Sequence, residues 1–234
     1  MKILCATNMP YAMEAFQTLG ETTIKEGRDL TNADVREADL LAIRSTTKVD
    51  RTLLAGSRVR FVGTATIGID HMDIAWLEQA GIRWCSAAGC NANSVSEYLT
   101  AALLWLARKH RFRLEGKTIG VIGIGNVGRR VVQKAQALGL RVLANDPPRA
   151  RREGPAGFAG LDQIVAEADI ITFHVPLEKG GDDPTWHMAD RSFFGRLKPG
   201  VILFNAARGP VIVADELLAA MDRIVGMRLR EFGD

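Results

Sequence analysis

The sequence predicts an α/β protein with parallel sheets, folded as two doubly wound domains. Two observations predict it. Short apolar runs alternate with stretches of helical period, which is the pattern of strand–helix–strand units. That pattern runs from Lys2 to about Cys85, gives way to one long helical segment, and starts again at Lys117. A length of 234 residues suits one large domain or two modest ones, and 47% hydrophobic with 24% charged residues is ordinary globular composition.

The first apolar run is Lys2–Ala6, and Met1-Lys2 leads straight into it, so no cleaved leader is expected. An amphipathic stretch, Tyr11–Leu19, follows and ends at Gly20, which the pattern puts in a C-cap role. Leu40–Ile43 and Phe61–Val62 read as buried strands. Each ends in a polar loop, Arg44-Ser45-Thr46-Thr47-Lys48 and Thr64-Ala65-Thr66-Ile67-Gly68. Ligands of such sheets bind beyond the carboxyl ends of the strands, so both loops are candidate sites. Hydroxyls and two cations in Arg44–Lys48 suit a phosphorylated acid, and the competing reading is a solvated turn. Ile82–Cys85 is a further short strand, leading into Gly89-Cys90-Asn91-Ala92-Asn93. The long helix then opens on Ser94-Val95-Ser96-Glu97, which has capping-box spacing, and continues through Leu99, Leu103 and Leu106 to the charged run Arg108–Arg113.

The second half carries the strongest motif. Thr118–Ile122 reads as a buried strand and meets Gly123-Ile124-Gly125-Asn126-Val127-Gly128. A helix to about Leu138 follows, closed by Gly139, and then a strand, Leu140–Ala144, that ends at Asn145-Asp146. The first glycine permits a tight turn, the second lets backbone N–H groups approach a pyrophosphate, and the third lets helix pack on strand. Asp146, 18 residues past Gly128, stands where a carboxylate accepts hydrogen bonds from ribose hydroxyls and repels a 2′-phosphate. A bare glycine pattern is weak evidence; strand, glycines, helix, strand and acid in that order are strong evidence for a dinucleotide, NAD rather than NADP. Arg149 lies near enough to keep NADP in view. Pro147–Gly160, rich in Arg, Gly and Pro, reads as a surface loop.

Ile170–His174 and Val201–Asn205 complete the strands, and the latter runs into Asn205-Ala206-Ala207-Arg208-Gly209. An Arg beside a nicotinamide site can hold a 2-hydroxy acid's carboxylate in its planar fork and stabilise charge on the reacting oxygen. Its alternative is a pairing with Asp215 or Glu216. A formal charge of +3, with basic residues scattered, calls for neither a nucleic-acid nor a membrane partner. Leu99–Ala107 is too short to span a bilayer. Cys5, Cys85 and Cys90 form no CxxC pair, so neither a metal site nor a disulfide frame is expected, and the compartment is expected to be cytoplasmic.

On these motifs, from Met1 to about Asp222, the chain resembles the D-isomer-specific 2-hydroxyacid dehydrogenases. The glycine motif and Asn205–Gly209 are its general marks. Thr66-Ile67-Gly68-Ile69-Asp70-His71 is more specific. Gly89–Val95 and Asp146-Pro147-Pro148-Arg149 point to the branch that acts on 4-phospho-D-erythronate rather than to phosphoglycerate or lactate enzymes. The resemblance implies a flavodoxin-like substrate domain over 1–93 and a Rossmann NAD-binding domain over 94–234. It implies NAD-linked oxidation of a small phosphorylated 2-hydroxy acid at its 2-hydroxyl, giving the 2-oxo acid, in the biosynthesis of vitamin B6. Arg208 then matches the catalytic arginine, and Ser45 and Thr66 match the substrate-binding positions. Gly123, Gly125, Asn126, Val127, Gly128, Asp146, Val175 and Ala206 match the cofactor-binding positions. Val175 stands where the branch usually has Thr, a lost hydroxyl worth about 1 kcal/mol of NAD binding.

The resemblance also places a Glu and a His beyond Arg208, the His to take the hydroxyl proton. Neither is found. Val225–Asp234 alternates as an edge strand does, and Glu231 carries no motif that makes it the missing acid. His71 reads as structural, His174 as a strand-end residue near the cofactor, and His110 and His187 as exposed. The expectation is a C-terminally truncated chain whose Rossmann domain is incomplete, with poor turnover and without a secure homodimer. Another D-2-hydroxyacid dehydrogenase, such as one for phosphoglycerate or glycerate, and a non-catalytic NAD sensor are the other readings.

Overall fold

The computed structural model describes residues 1–224, and its contacts divide the chain into two compact units, Met1–Cys90 and a second beginning at Asn91. The first unit contains β1 (Lys2–Ala6), α1 (Ala12–Phe16), β2 (Glu21–Lys25), α2 (Asn32–Val35), β3 (Leu40–Ile43), α3 (Arg51–Leu54), β4 (Phe61–Thr64), α4 (Ile74–Gln79) and β5 (Arg83–Ser86). Its strands lie in the order β2-β1-β3-β4-β5, all parallel, which is the flavodoxin-like winding. Successive residues of a strand face opposite sides, so Leu4, Leu41 and Val62 join Val35 and Leu77 in one core. Ile3, Cys5 and Ala42 meet Ala12 on the other side. Both faces are covered, as a parallel sheet requires.

In the second unit α5 (Ala92–Lys109) precedes β6 (Thr118–Ile122), α6 (Gly128–Ala137), β7 (Arg141–Asn145), α7 (Pro147–Glu153), α8 (Leu161–Glu167), β8 (Ile170–Phe173), α9 (Arg191–Gly195), β9 (Ile202–Asn205) and α10 (Ala214–Ile224). The parallel sheet runs β7-β6-β8-β9. Every residue of β6 is buried. Ile119 and Val121 pack with Leu99, Leu103 and Val131 of α5 and α6, and Ile122 packs with Ile164, Ile171, Phe173 and Phe193 on the opposite face. Gly120 shares that second face, where a Cβ would come within 2.4 Å of Ile164 Cγ2, so its missing side chain lets α8 approach. The chain passes from β6 to β7 on one side and returns to β8 on the other. The crevice between the carboxyl ends of β6 and β8 is therefore the switch point of this sheet.

Three local expectations are corrected and one strand is added. Gly20 has no positive φ and does not cap a helix; a Cβ there would lie 2.2 Å from the Met1 carbonyl oxygen, so it is a close-approach glycine. The strand β2 that follows it escaped the sequence reading because an edge strand with little burial has no apolar alternation to show. The capping box at Ser94–Glu97 does not form. The helix starts earlier, at Ala92, and Ser96 instead donates to the Asn93 carbonyl at 2.7 Å from within it. Pro147–Gly160 is not all loop, because Asp146 caps a helix there with Pro in its first turn. The tail Val225–Asp234, with Glu231, lies outside the described residues.

Candidate functional site

The glycine turn sits at the switch point of the second sheet. Gly123 N donates to the Asn145 carbonyl at 2.8 Å, and His174 N donates to the Ile122 carbonyl at 2.7 Å, so the turn is tied to the strands on both sides. Gly123 has φ +90°, and a Cβ on it would lie 2.7 Å from His174 backbone atoms and 2.9 Å from Val175 Cγ1. Gly128 is tighter: its Cβ would lie 1.9 Å from the Gly123 carbonyl oxygen. Gly125 has nothing within 4 Å and is exposed at the lip of a cleft. The turn thus has two glycines pressed against protein and one facing open space.

Helix α6 begins at Gly128 with no side chain capping its first turn, so its positive end is directed at the turn. Asn126 braces this region, accepting from Arg129 at 3.1 Å through Oδ1 and from Arg130 at 2.7 Å through its carbonyl. Val127 is the residue before α6 and is half-buried.

Asp146 stands at the end of β7. Its Oδ2 accepts from Ile124 N at 2.8 Å and its Oδ1 from Arg149 N at 3.0 Å. The same carboxylate therefore holds the glycine turn and caps α7. A carboxylate has about four lone-pair sites, so acceptor capacity remains for a ligand hydroxyl. Together these elements border a cleft of about 420 Å³, mostly apolar, with Gly123, Gly125, Asp146, His174 and Val175 on its walls. Its far side is a loop stapled by Thr185, which donates to the Pro176 carbonyl at 2.5 Å and accepts from Glu178 N at 2.8 Å. Neither this staple nor the clamp of Arg151 on Asp183 beside it was legible in the sequence, since each joins residues far apart in composition and spacing.

His174 is a strand-end residue on this cleft. Its Nε2 lies 2.9 Å from Thr172 Oγ1 and its Nδ1 is buried without a hydrogen-bond partner. Burial pushes its pKa down to about 4. A proton acceptor at neutral pH works best with a pKa near 7, and burial makes this imidazole a weaker base than that. Its low pKa has a consequence for stability. The unfolded chain takes up a proton near pH 6.5 while the folded chain refuses it until about 4. Stability is complete above pH 6.5 and falls as the pH drops through that window, by about 2 kcal/mol between pH 7 and 5 from this group. Denaturant midpoints at the two pH values are expected to show the loss, and His174→Gln is expected to flatten it; an unchanged pH slope in the variant would refute the assignment.

The remaining expected site residues divide between the units. In the second, Ala206 follows β9 with its N–H on the Phe173 carbonyl at 3.2 Å. Arg208 is exposed beside it; its carbonyl accepts from Asn205 Nδ2 at 2.9 Å, and its guanidinium donates to the Ala207 carbonyl at 3.2 Å. Glu216 lies 3.9 Å from Arg191. In the first unit, Ser45 is exposed in the loop after β3. Arg44 donates to the Asn8 carbonyl at 3.1 Å and Asn8 Nδ2 to Thr46 at 2.9 Å, so that loop is braced against the loop after β1, across the switch point of the first sheet. Asn8 Oδ1 is buried there without a partner. Thr66 follows β4, with Oγ1 2.7 Å from Thr64 Oγ1 and 2.8 Å from the Gly68 carbonyl, and Thr64 is 3.1 Å from His71 Nε2. His110 and His187 are exposed. No group of three metal-ligating side chains occurs among the described residues.

Residues 90–226 match the family described as D-isomer specific 2-hydroxyacid dehydrogenase, NAD binding domain. The erythronate-4-phosphate dehydrogenase of Citrobacter koseri is 51% identical over 222 residues, which are 95% of this chain and 59% of that enzyme. The chain thus spans 59% of the length of the curated relatives it matches. Among solved structures, D-lactate dehydrogenase from Aquifex aeolicus, complexed with NAD and lactic acid, superposes with a TM-score of 0.78 at 27% identity, covering 94% of this chain and 73% of that one. NAD⁺-bound 3-phosphoglycerate dehydrogenase from Entamoeba histolytica gives 0.78 at 26% identity, covering 96% and 77%.

Proposed function

This chain belongs to the D-isomer-specific 2-hydroxyacid dehydrogenase family, and from that premise we propose that it is part of an enzyme oxidising 4-phospho-D-erythronate at the 2-hydroxyl to the 2-oxo acid. The observation that carries the reading is the open Gly125 at the cleft lip, with Asp146 on the same wall. A pyrophosphate needs backbone without a side chain in its way, and an adenosine ribose needs an acceptor at the end of the second strand; both are present. NAD⁺, when bound, accepts the hydride from C2 of the substrate. What the chain contributes is placement. Arg208, at the carboxyl end of β9, holds the substrate carboxylate in a charged fork. Ser45 and Thr66 match the family's substrate-binding positions, and Arg44 and Lys48 give the Ser45 loop cationic character suited to a phosphate. Val175 lines the nicotinamide side with a methyl where the branch has a hydroxyl. The choice of this acid over phosphoglycerate rests on the 51% identity with the erythronate-4-phosphate enzyme.

Cys5 is buried, and Cys85 and Cys90 are exposed thiols, which supports a reducing cytoplasm. Among the described residues no helix is long and apolar enough to cross a membrane. A homodimer is the expected assembly, and α5 supports it by exposing Tyr98 and Trp105, two turns apart on one face.

Titration of NADH into the chain, followed by its fluorescence, is expected to saturate. Adding 4-phospho-D-erythronate to the NAD-bound chain is expected to raise the melting temperature more than 3-phospho-D-glycerate does, because a ligand stabilises the state it binds. Absence of saturable NADH binding would overturn the cofactor assignment, and equal shifts with the two acids would overturn the substrate.

A further inference from the structure

We propose that Glu153 is a determinant of NAD over NADP, because it occupies the arginine that would otherwise receive a 2′-phosphate. The inference rests on the dinucleotide reading of the cleft. Arg149 is the cation nearest in sequence to Asp146, and its backbone N–H is bonded to that carboxylate at 3.0 Å. Its guanidinium lies over the glycine turn, with Nη1 donating to the Ile124 carbonyl at 2.7 Å. Ile124 N, in turn, donates to Asp146. Arg149 therefore stands against the two groups that frame an adenosine ribose, where the added phosphate of NADP would fall.

One edge of its fork, Nε and Nη2, is taken. Glu153, one helical turn on, accepts from Nε at 3.0 and 3.1 Å and from Nη2 at 2.6 Å. The face of the guanidinium rests 5.6 Å from the Phe158 ring centroid. A guanidinium is planar and its donors are fixed, so the edge closed on this carboxylate is not offered to a phosphate without breaking those bonds. The hydrogen bonds from Arg149 are the first cause of a Glu153 pKa lowered to about 2, so the pair is ionised throughout the physiological range.

Glu153 also accepts from Arg152 at 2.8 Å, and Arg151 pairs with Asp183. Each arginine of α7 is thus matched to an acid, and two of the three share Glu153. Glu153 thus neutralises the arginine that stands at the glycine turn. Asp146 repels the 2′-phosphate directly; Glu153 withholds its counter-charge.

The test is the affinity of the full chain for NADH and NADPH, read by fluorescence titration in low salt, where exposed charges are least screened. Glu153→Gln keeps the shape and removes the charge. It is expected to narrow the preference for NADH by about tenfold, equivalent to 1.4 kcal/mol, with NADH affinity within about twofold of wild type. Arg149→Met combined with Glu153→Gln separates release of the arginine from simple loss of negative charge, and is expected to abolish the gain. An unchanged NADPH to NADH ratio in Glu153→Gln, or a gain that persists without Arg149, would overturn the proposal while leaving the NAD site standing. Failure of wild type to bind either dinucleotide would overturn both.

Discussion

Gly128→Ala is expected to destabilise the protein by about 3 kcal/mol, since extra volume forced into packed structure costs about that much. The added methyl would lie 1.9 Å from the Gly123 carbonyl oxygen and 2.9 Å from its carbon, which are backbone atoms that cannot rotate away. Relief requires α6 to move off β6, and that movement opens the turn both glycines share. For a chain of this size the shift in Tm is roughly 10 °C downward. Gly125→Ala provides the contrast. A Cβ there meets nothing within 4 Å and φ is not positive, so stability is expected to stay within about 0.5 kcal/mol of wild type. Its methyl would instead occupy the space a pyrophosphate needs, and NADH affinity is expected to fall by at least about tenfold, or 1.4 kcal/mol. Thermal unfolding paired with NADH titration separates the two. Equal loss of stability in both variants would refute the division of labour within the turn.

Asp146→Ala removes three functions at once. The cap of α7 is worth about 1 kcal/mol, and Ile124 N loses a charged acceptor in a partly buried place, for a total near 2 kcal/mol of stability. Loss of hydrogen bonds from ribose hydroxyls to a charged acceptor costs about 2 kcal/mol of binding, so NADH affinity is expected to fall about 30-fold. Asp146→Asn retains one acceptor oxygen and should sit between wild type and alanine in both readouts. The alternative, a surface aspartate that merely caps a helix, would leave NADH affinity at the wild-type value in both variants. Isothermal calorimetry or fluorescence titration reads the binding, and urea unfolding reads the stability.

What could be read from the residues follows what water does to each element. Thr118–Ile122 is buried along its whole length, so its apolar run, the glycines after it and the acid closing the next strand were all visible. The same holds for Ile170–Phe173, and for Leu41–Ile43 within β3. Elements with little burial left no such trace: Glu21–Lys25 is a strand through its pairing with β1, and its side chains are mostly in solvent. The position of Gly20 in the sequence suggests a cap, and only the approach of Met1 in the fold explains why a side chain is excluded. The Ser94–Glu97 spacing satisfied a motif that the helix, starting at Ala92, passes over. Within the candidate site, the glycines and Asp146 were legible because the chain itself orders them. The bond from Asp146 to Ile124 N crosses between two strand ends and has no local signature. The Arg149–Glu153 pair has the four-residue spacing of a helical ion pair, a signal that a loop assignment for Pro147–Gly160 hid.

At the end of β4, the proton order among three side chains is settled by one carbonyl. Gly68 O can only accept, so the Thr66 hydroxyl, 2.8 Å away, directs its single hydrogen there. Thr64, 2.7 Å from Thr66, must then point its own hydrogen at Thr66, and His71 Nε2, 3.1 Å from Thr64, must be the protonated nitrogen of its ring. Thr66 is left with lone-pair density and no hydrogen to give. Whatever meets that oxygen has to bring a hydrogen with it, as an alcohol does and an ionised carboxylate or phosphate does not. As a proposed substrate-binding position, Thr66 therefore suits a hydroxyl of a sugar acid better than its ionised ends.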